Sequence, residues 1–420
     1  MRLRRLVIAG VVLLALAAKP LGAYSVLSHE AIIDTLWESS IKPMLLDRFP
    51  QSTPADLMRA HAYVYGGSII QDVGYYPFGS KFFSNLAHYT RTGDFVLAML
   101  RDSRTLEEYA FALGALAHYS ADVWGHPVAI NRAVPMLYPK LGRKFGKEVT
   151  YDQAPLAHVR TEFAFDVIQV AHNYYAPEAY HQFIGFSVAE DLMKRSFRDT
   201  YCIELSEAFP NLEMAIRTYR WSVRTVIPEM TRVAWSENEN EITNTKPGMT
   251  KKKFLYNLSR ASFEQEWGKD YHKPGVRARF LAFLIRLLPK VGAIEKLKIP
   301  VPTPSAERLF MASFNDTVTH ARADLRALRA GRLHLTDENF DIGIPSRAGI
   351  YPLSDETYAQ LLDRLAKKHF AGLTASMRDN ILAYYKNPLG PLATRRKPRE
   401  WQRVQTELDE IRKLDLVARK

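Results

Sequence analysis

The run LEEYAFALGALAHYSADVWGH, Leu106 to His126, is apolar at helical spacing yet carries His118, Asp122 and His126 at intervals of four. A helix turns about 100° per residue, so these three side chains fan over only ~80° and share one stripe. Thr105 with Glu108 reads as a capping box that starts the helix. Polar side chains on the inward stripe of such a helix need partners, and a metal ion supplies them. The aspartate in the middle can bridge neighbouring metals with its two oxygens while each histidine serves one of them.

The same logic recurs in APLAHVRTEFAFDVIQVAHNYY, opened by Pro155, where His158 and Glu162 again stand four apart. SHEAIIDTLWESSIKPMLL reads as a first helix with Ser28 as its cap. YGGSIIQDVGYYPFGSKFFSNLAHYTRTGD, punctuated by Gly66, Gly67, Gly74, Pro77 and Gly79, reads as loop-rich. No strand alternation stands out, so the chain is expected to be all-α, a multi-helix domain with additional C-terminal helices. Asp72, His88 and His29 join the two His-x-x-x-acid pairs as candidate ligands. The one cysteine, Cys202, excludes thiolate-based zinc sites and an internal disulfide, so a metal here draws on His, Asp and Glu.

The N-terminus MRLRRLVIAGVVLLALAAKPLGA has a basic start, a 13-residue apolar run from Leu6 to Ala18 and a small-residue end. It reads as a secretory signal, residues 1–23, too short to span a bilayer and cut after Ala23. The expected location is therefore secreted or periplasmic. Removing its four basic residues lowers the net charge from +12 to +8, which favours anionic lipid or nucleic acid without choosing between them. The polar run 236–253 reads as a linker or exposed loop between residues 24–235 and a helical C-terminal region, 254–420, of unassigned role. Within that region Val276 to Pro289 forms a basic apolar helix that suits packing on the fold or a membrane interface.

From Tyr24 to about Glu190 this ligand pattern resembles the zinc-dependent phospholipases C, which share an all-helical fold with the single-strand nucleases and bind three zinc ions. The resemblance implies ligands in the order Tyr24, His29, Asp72, His88, His118 with Asp122, His126, and His158 with Glu162. One zinc would take Asp72, His88, His118 and Asp122. A second would take His126, His158 and Glu162, and a third the amine and carbonyl of Tyr24 with His29 and Asp122. The four-residue step from Asp122 to His126 departs from the six of the secreted phospholipases C. It resembles the HxxxADxxxH pattern of glycosylphosphatidylinositol-specific phospholipase D.

The resemblance implies zinc-dependent hydrolysis of phospholipid phosphodiesters, with a phospholipid or membrane surface as substrate and Asp72 orienting or deprotonating the attacking water. Two alternatives stay open within enzymes, a single-strand nuclease acting on nucleic acid and a phospholipase D-type phosphodiesterase. A third lies outside them, a helical envelope protein with a structural metal. No protein partner is inferred. Glu30, Asp34 and Asp166 are candidates to support the ligands from behind or to serve as capping or solvated groups. Tyr75, Tyr76, Phe78, Phe82 and Phe83 are candidates for the mouth of the site or for core. His61, His172 and His181 match no ligand position, and Trp124 and Pro127 shape the end of the ligand helix.

Overall fold

The computed structural model describes residues 26–172, 186–223, 300–387, 390, 394 and 396–414. The expected signal, Tyr24, His181, the 236–253 run and the Val276–Pro289 helix lie outside the described residues.

The N-terminal part is built from α1 (Val26–Leu36), α2 (Pro54–Ile69), α3 (Lys81–Tyr89), α4 (Thr92–Asp102), α5 (Leu106–Gly125), α6 (Pro155–His172), α7 (Glu190–Tyr201) and α8 (Leu212–Trp221). The C-terminal part adds α9 (Pro304–Arg329), α10 (Pro352–Lys367), α11 (Ala375–Tyr384) and α12 (Pro398–Arg412). Between α9 and α10 lies a small antiparallel hairpin, β1 (Glu338–Asn339) with β2 (Ile344–Pro345), in which Glu338 faces Pro345 and Asn339 faces Ile344. Among the described residues the fold is all-α apart from this hairpin, as expected. No helix among the described residues is long and apolar enough to cross a membrane.

Helix α5 is the axis of the molecule, with all but a few of its residues buried. Thr105 caps it by accepting from the Glu108 amide at 3.2 Å. The reciprocal arm of the expected capping box shifts by one residue, because Glu108 accepts from the Arg104 amide at 2.8 Å. Ser28 lies inside α1, and a trans partner replaces the expected local cap. The Leu27 and Ser28 amides and the Ser28 hydroxyl all donate to the Asp166 carboxylate of α6, at 3.0, 3.0 and 2.6 Å. That carboxylate satisfies donors at the first turn of the helix that carries His29.

Gly66 and Gly67, read from sequence as loop punctuation, lie within α2. Their role is close approach: a Cβ on Gly67 would stand 1.9 Å from the Phe111 carbonyl oxygen of α5, and one on Gly114 would stand 2.0 Å from the Val64 oxygen of α2. This contact presents the Ser68 carbonyl to His118, whose Nδ1 lies 2.8 Å away. Gly67→Ala should therefore force the two backbones apart, lowering stability by about 3 kcal/mol and shifting the urea midpoint accordingly.

The C-terminal part packs on the same core. Phe310 of α9 stacks on Phe165 of α6 with ring centres 4.6 Å apart, and His320 stacks on Trp124 at 3.7 Å. Ser120 donates to Asp324 at 2.9 Å.

Candidate metal centre

Four elements converge on Asp122. Helix α1 brings His29, the 3-10 turn Ile70–Tyr75 that follows α2 brings Asp72, α3 brings His88, and α5 supplies His118. All five side chains are buried. Asp122 Oδ2 lies 3.2 Å from His118 Nε2 and 3.3 Å from His88 Nε2, while its Oδ1 lies 3.6 Å from His29 Nε2. Asp72 meets His88 Nε2 through Oδ1 at 3.1 Å and His29 Nε2 through Oδ2 at 3.9 Å. The rings of His29 and His118 stack at 4.6 Å.

The histidines are aimed from behind. His118 Nδ1 bonds the Ser68 carbonyl and His88 Nδ1 bonds the Ser84 carbonyl at 2.7 Å, so each turns Nε2 toward the carboxylates. This is how ligating histidines are held, with the second ring nitrogen on a fixed acceptor.

A second group lies one turn further along α5, beyond Asp122. The helix passes there into a π-helical turn, His126–Ile130, containing Pro127. His126 stacks on His158 of α6 with ring centres 5.0 Å apart. Facing this pair is Asp341, from the turn of the β1–β2 hairpin, a residue that stands in no sequence motif. Its Oδ1 lies 3.2 Å from His126 Nδ1 and 3.7 Å from His158 Nε2. Glu162 lies on the other edge of His158, with Oε1 2.7 Å from Nδ1. Asn131 Oδ1 approaches His158 Nε2 at 2.7 Å.

Among the described residues, three sets place one ligand atom from each member within 4.8 Å of one another: His29, His118 and Asp122; Asp72, His88 and His118; His126, His158 and Asp341. The donors are imidazole and carboxylate, the set that suits zinc. Buried within these groups, His88 Nε2, His118 Nε2, both Asp122 oxygens, Asp72 Oδ1, His126 Nδ1 and Asp341 Oδ1 make no hydrogen bond among the described residues. So many orphaned polar atoms aimed at one another carry a large desolvation cost that a dication offsets. The residues present fit a metal.

The electrostatics follow from the crowding. Burial works against the Asp122 carboxylate, but the surrounding His118, His88 and His29 hold its pKa well below the usual range. Burial likewise disfavours the His88 cation, yet the carboxylates of Asp122 and Asp72 facing it outweigh burial and raise the pKa to about 10. His29 is driven well down, by burial and then by His118. In the second group burial lowers His158 to about 3, while burial, Asp72, Asp122 and Asp341 push Glu162 well up. That pair is thereby driven to neutral acid and neutral imidazole.

Of the proposed supporting acids, Asp166 holds the first turn of α1. Asp34 bonds His61 Nε2 at 3.1 Å and the Tyr65 hydroxyl at 2.5 Å, and so serves a different cluster. Glu30 is buried, with its pKa well raised by burial, Asp34 and Asp166. The aromatic run divides: Tyr75 lies beside His88 with ring centres 5.7 Å apart and Phe78 is exposed, whereas Phe83 packs in the core against Phe197. Phe82 is buried under the Arg364 guanidinium, 4.3 Å from its ring centre. Phe340 of the hairpin, also absent from the expectations, packs its ring edge-on to His88 at 5.4 Å.

Residues 28–211 match the model of a family described as zinc dependent phospholipase C. No curated protein and no solved structure matches the chain.

Proposed function

We propose, from the match of residues 28–211 to the zinc dependent phospholipase C family model, that the chain hydrolyses phospholipid phosphodiesters at a cluster of up to three zinc ions. Asp122 carries the reading: buried, without a hydrogen bond among the described residues, it turns one oxygen to His29 and the other to His88 and His118. That is the disposition a bridging carboxylate needs. Asp72, His88, His118 and Asp122 would hold one ion. His29 and Asp122, with the main-chain donors of Tyr24 once a leader is removed, would hold another. His126 and His158 would hold the third, with Glu162 and Asp341 the two carboxylates beside them. We also place the mature chain outside the cytoplasm.

Bound zinc would supply Lewis acidity toward the phosphoryl oxygens and lower the pKa of water toward neutrality. Asp72 orients the attacking water and takes its proton. The water oxygen bonds to phosphorus as the in-line bond to the diacylglycerol oxygen breaks, and that oxygen leaves with the proton taken up by Asp72. The products are diacylglycerol and a phosphomonoester. His88 is fixed against Asp72 by the Ser84 carbonyl behind it, which keeps the Asp72 oxygens in register with the cluster.

Two measurements test this reading. Elemental analysis of the mildly purified, processed protein should find between two and three zinc ions per chain, and less than one sinks the proposal. Mixed micelles of phosphatidylcholine should yield diacylglycerol and phosphocholine, whereas acid-soluble nucleotides from single-stranded DNA without lipid products would establish the nuclease alternative.

A further inference from the structure

We infer that Asp341 is the carboxylate ligand of the His126–His158 metal position, and that Glu162 instead orients His158 from behind. The C-terminal region thereby completes the metal site. This rests on the zinc reading above and changes which residues serve it.

The argument starts from the two edges of the His158 ring. Glu162 occupies Nδ1 at 2.7 Å, and Nε2 points the other way, toward Asp341 Oδ1. Nδ1 and Nε2 lie on different edges of an imidazole, so the carboxylate seated on one is poorly placed to share a metal with the other. His88 and His118 are built alike, with Nδ1 on a fixed acceptor and Nε2 toward the cluster. With a dication on His158 Nε2, Nδ1 carries the hydrogen and donates it to Glu162, the carboxylate–histidine–metal arrangement that holds ligating imidazoles in place. His126 then points Nδ1 at the same Asp341 oxygen, 3.2 Å away, whereas Glu162 belongs to none of the ligand sets that the described residues form.

Asp341 is also held as a ligand must be. Its Oδ2 accepts from the Tyr351 hydroxyl at 2.7 Å and from the Tyr151 amide at 3.0 Å, which leaves Oδ1 for the histidines. Its amide donates to Asn339 Oδ1 at 3.0 Å, and its carbonyl accepts from Asn131 Nδ2 at 2.6 Å. The same Asn131 presents its Oδ1 to His158 Nε2 and is the neighbouring oxygen donor of the group.

The hairpin that carries Asp341 is seated on the elements that carry the other ligands. The Phe340 amide donates to the His88 carbonyl at 3.0 Å, Thr92 Oγ1 donates to the Glu338 carbonyl at 2.8 Å, and Ser346 Oγ donates to the Tyr89 carbonyl at 2.7 Å. Gly343 has a left-handed φ of 62°, and a Cβ there would stand 2.7 Å from Pro127 Cγ and 2.8 Å from the Val123 oxygen. The hairpin turn is thus pressed onto the π-helical turn that aims His126.

The test compares the full processed wild-type chain with Asp341→Asn and Glu162→Gln. Zinc per chain is read by elemental analysis, and affinities by competition with a chromophoric chelator. Asp341→Asn should lose about one zinc per chain, or bind its weakest zinc at least a hundredfold less tightly. Glu162→Gln should keep the wild-type count and weaken one position by about 10- to 100-fold. Wild-type count and affinities in Asp341→Asn, or loss of a zinc in Glu162→Gln alone, overturn the inference. A wild-type protein with less than one zinc fails the underlying reading before the variants are compared, so the two failures are distinguishable. Should Asp341→Asn not fold by circular dichroism, Tyr351→Phe decides. It leaves the carboxylate in place but unclamps Oδ2, and should weaken one zinc by about tenfold; unchanged affinities overturn the inference.

Discussion

Asp122→Asn should lower phospholipid hydrolysis at least a thousandfold, about 4 kcal/mol of transition-state stabilisation. The amide keeps the shape of the carboxylate but has one acceptor oxygen where the site needs two. Its NH2 group would point at a histidine nitrogen that would hold a metal in the proposed cluster. One oxygen faces His29 and the other faces His88 and His118, so the substitution damages two metal positions together. Zinc content should fall with activity, and His88, deprived of one of the two carboxylates that raise it to about 10, should titrate lower. Steady-state hydrolysis of short-chain phosphatidylcholine micelles, with zinc measured on the same preparations, checks this. A variant retaining more than a tenth of wild-type turnover would assign Asp122 to structure alone.

Treatment with a strong zinc chelator should abolish hydrolysis and lower Tm on the order of 10 °C. The second effect follows from linkage: a ligand at a thousand times its Kd stabilises the folded state by about 4 kcal/mol per site, and each kcal/mol moves Tm by roughly 2–4 °C in a domain of this size class. Restored zinc should recover both, and recovery should be proton-coupled. The His88 pKa is raised, so in the chelated protein its contribution to stability is full below about 6.5, the unfolded value, and is lost as pH rises through about 10. Zinc must displace that proton, so its affinity should rise by about tenfold per pH unit for each proton released as pH climbs toward 10. His29, driven to the neutral form, adds no such dependence near pH 7. Calorimetry in two buffers of different ionisation enthalpy measures the proton release, and a zinc affinity flat from pH 6 to 9 would contradict the ligand role of His88.

Much of the centre was legible because helical periodicity is a local property. His118 and Asp122 lie four apart on a capped, buried helix, and their side chains meet at 3.2 Å. His158 and Glu162 meet likewise at 2.7 Å, and Pro155 opens their helix as expected. Asp72, His88 and His29 come from separate elements, yet each was recognised by its residue type in a family pattern. Their convergence on Asp122 is what the structure adds.

Other features could not be read locally. Gly66 and Gly67 have the composition of a turn, and only the backbones lying against them, that of Ser187 at Gly66 and that of α5 at Gly67, explain glycine inside a helix. Phe82 and Phe83 are indistinguishable in sequence from Tyr75, yet they pack away from the cluster while Tyr75 lies beside His88. Ser28 has the residue type of a cap, and the acceptor that displaced it from that role, Asp166, comes from a distant helix.

The sequence by itself determined the all-α class, the helices of the candidate site and the His-x-x-x-acid pairs on them, because those depend on spacings within one element. Tertiary structure alone decided which carboxylate faces His126 and His158. Asp341 stands in no motif, and a single Asp in a polar turn carries no periodic signal. It reaches the site because the β1–β2 hairpin is hydrogen-bonded to the residues around His88 and seated on the turn around Pro127. Contacts of that kind join distant parts of the chain through packing, which no local spacing encodes.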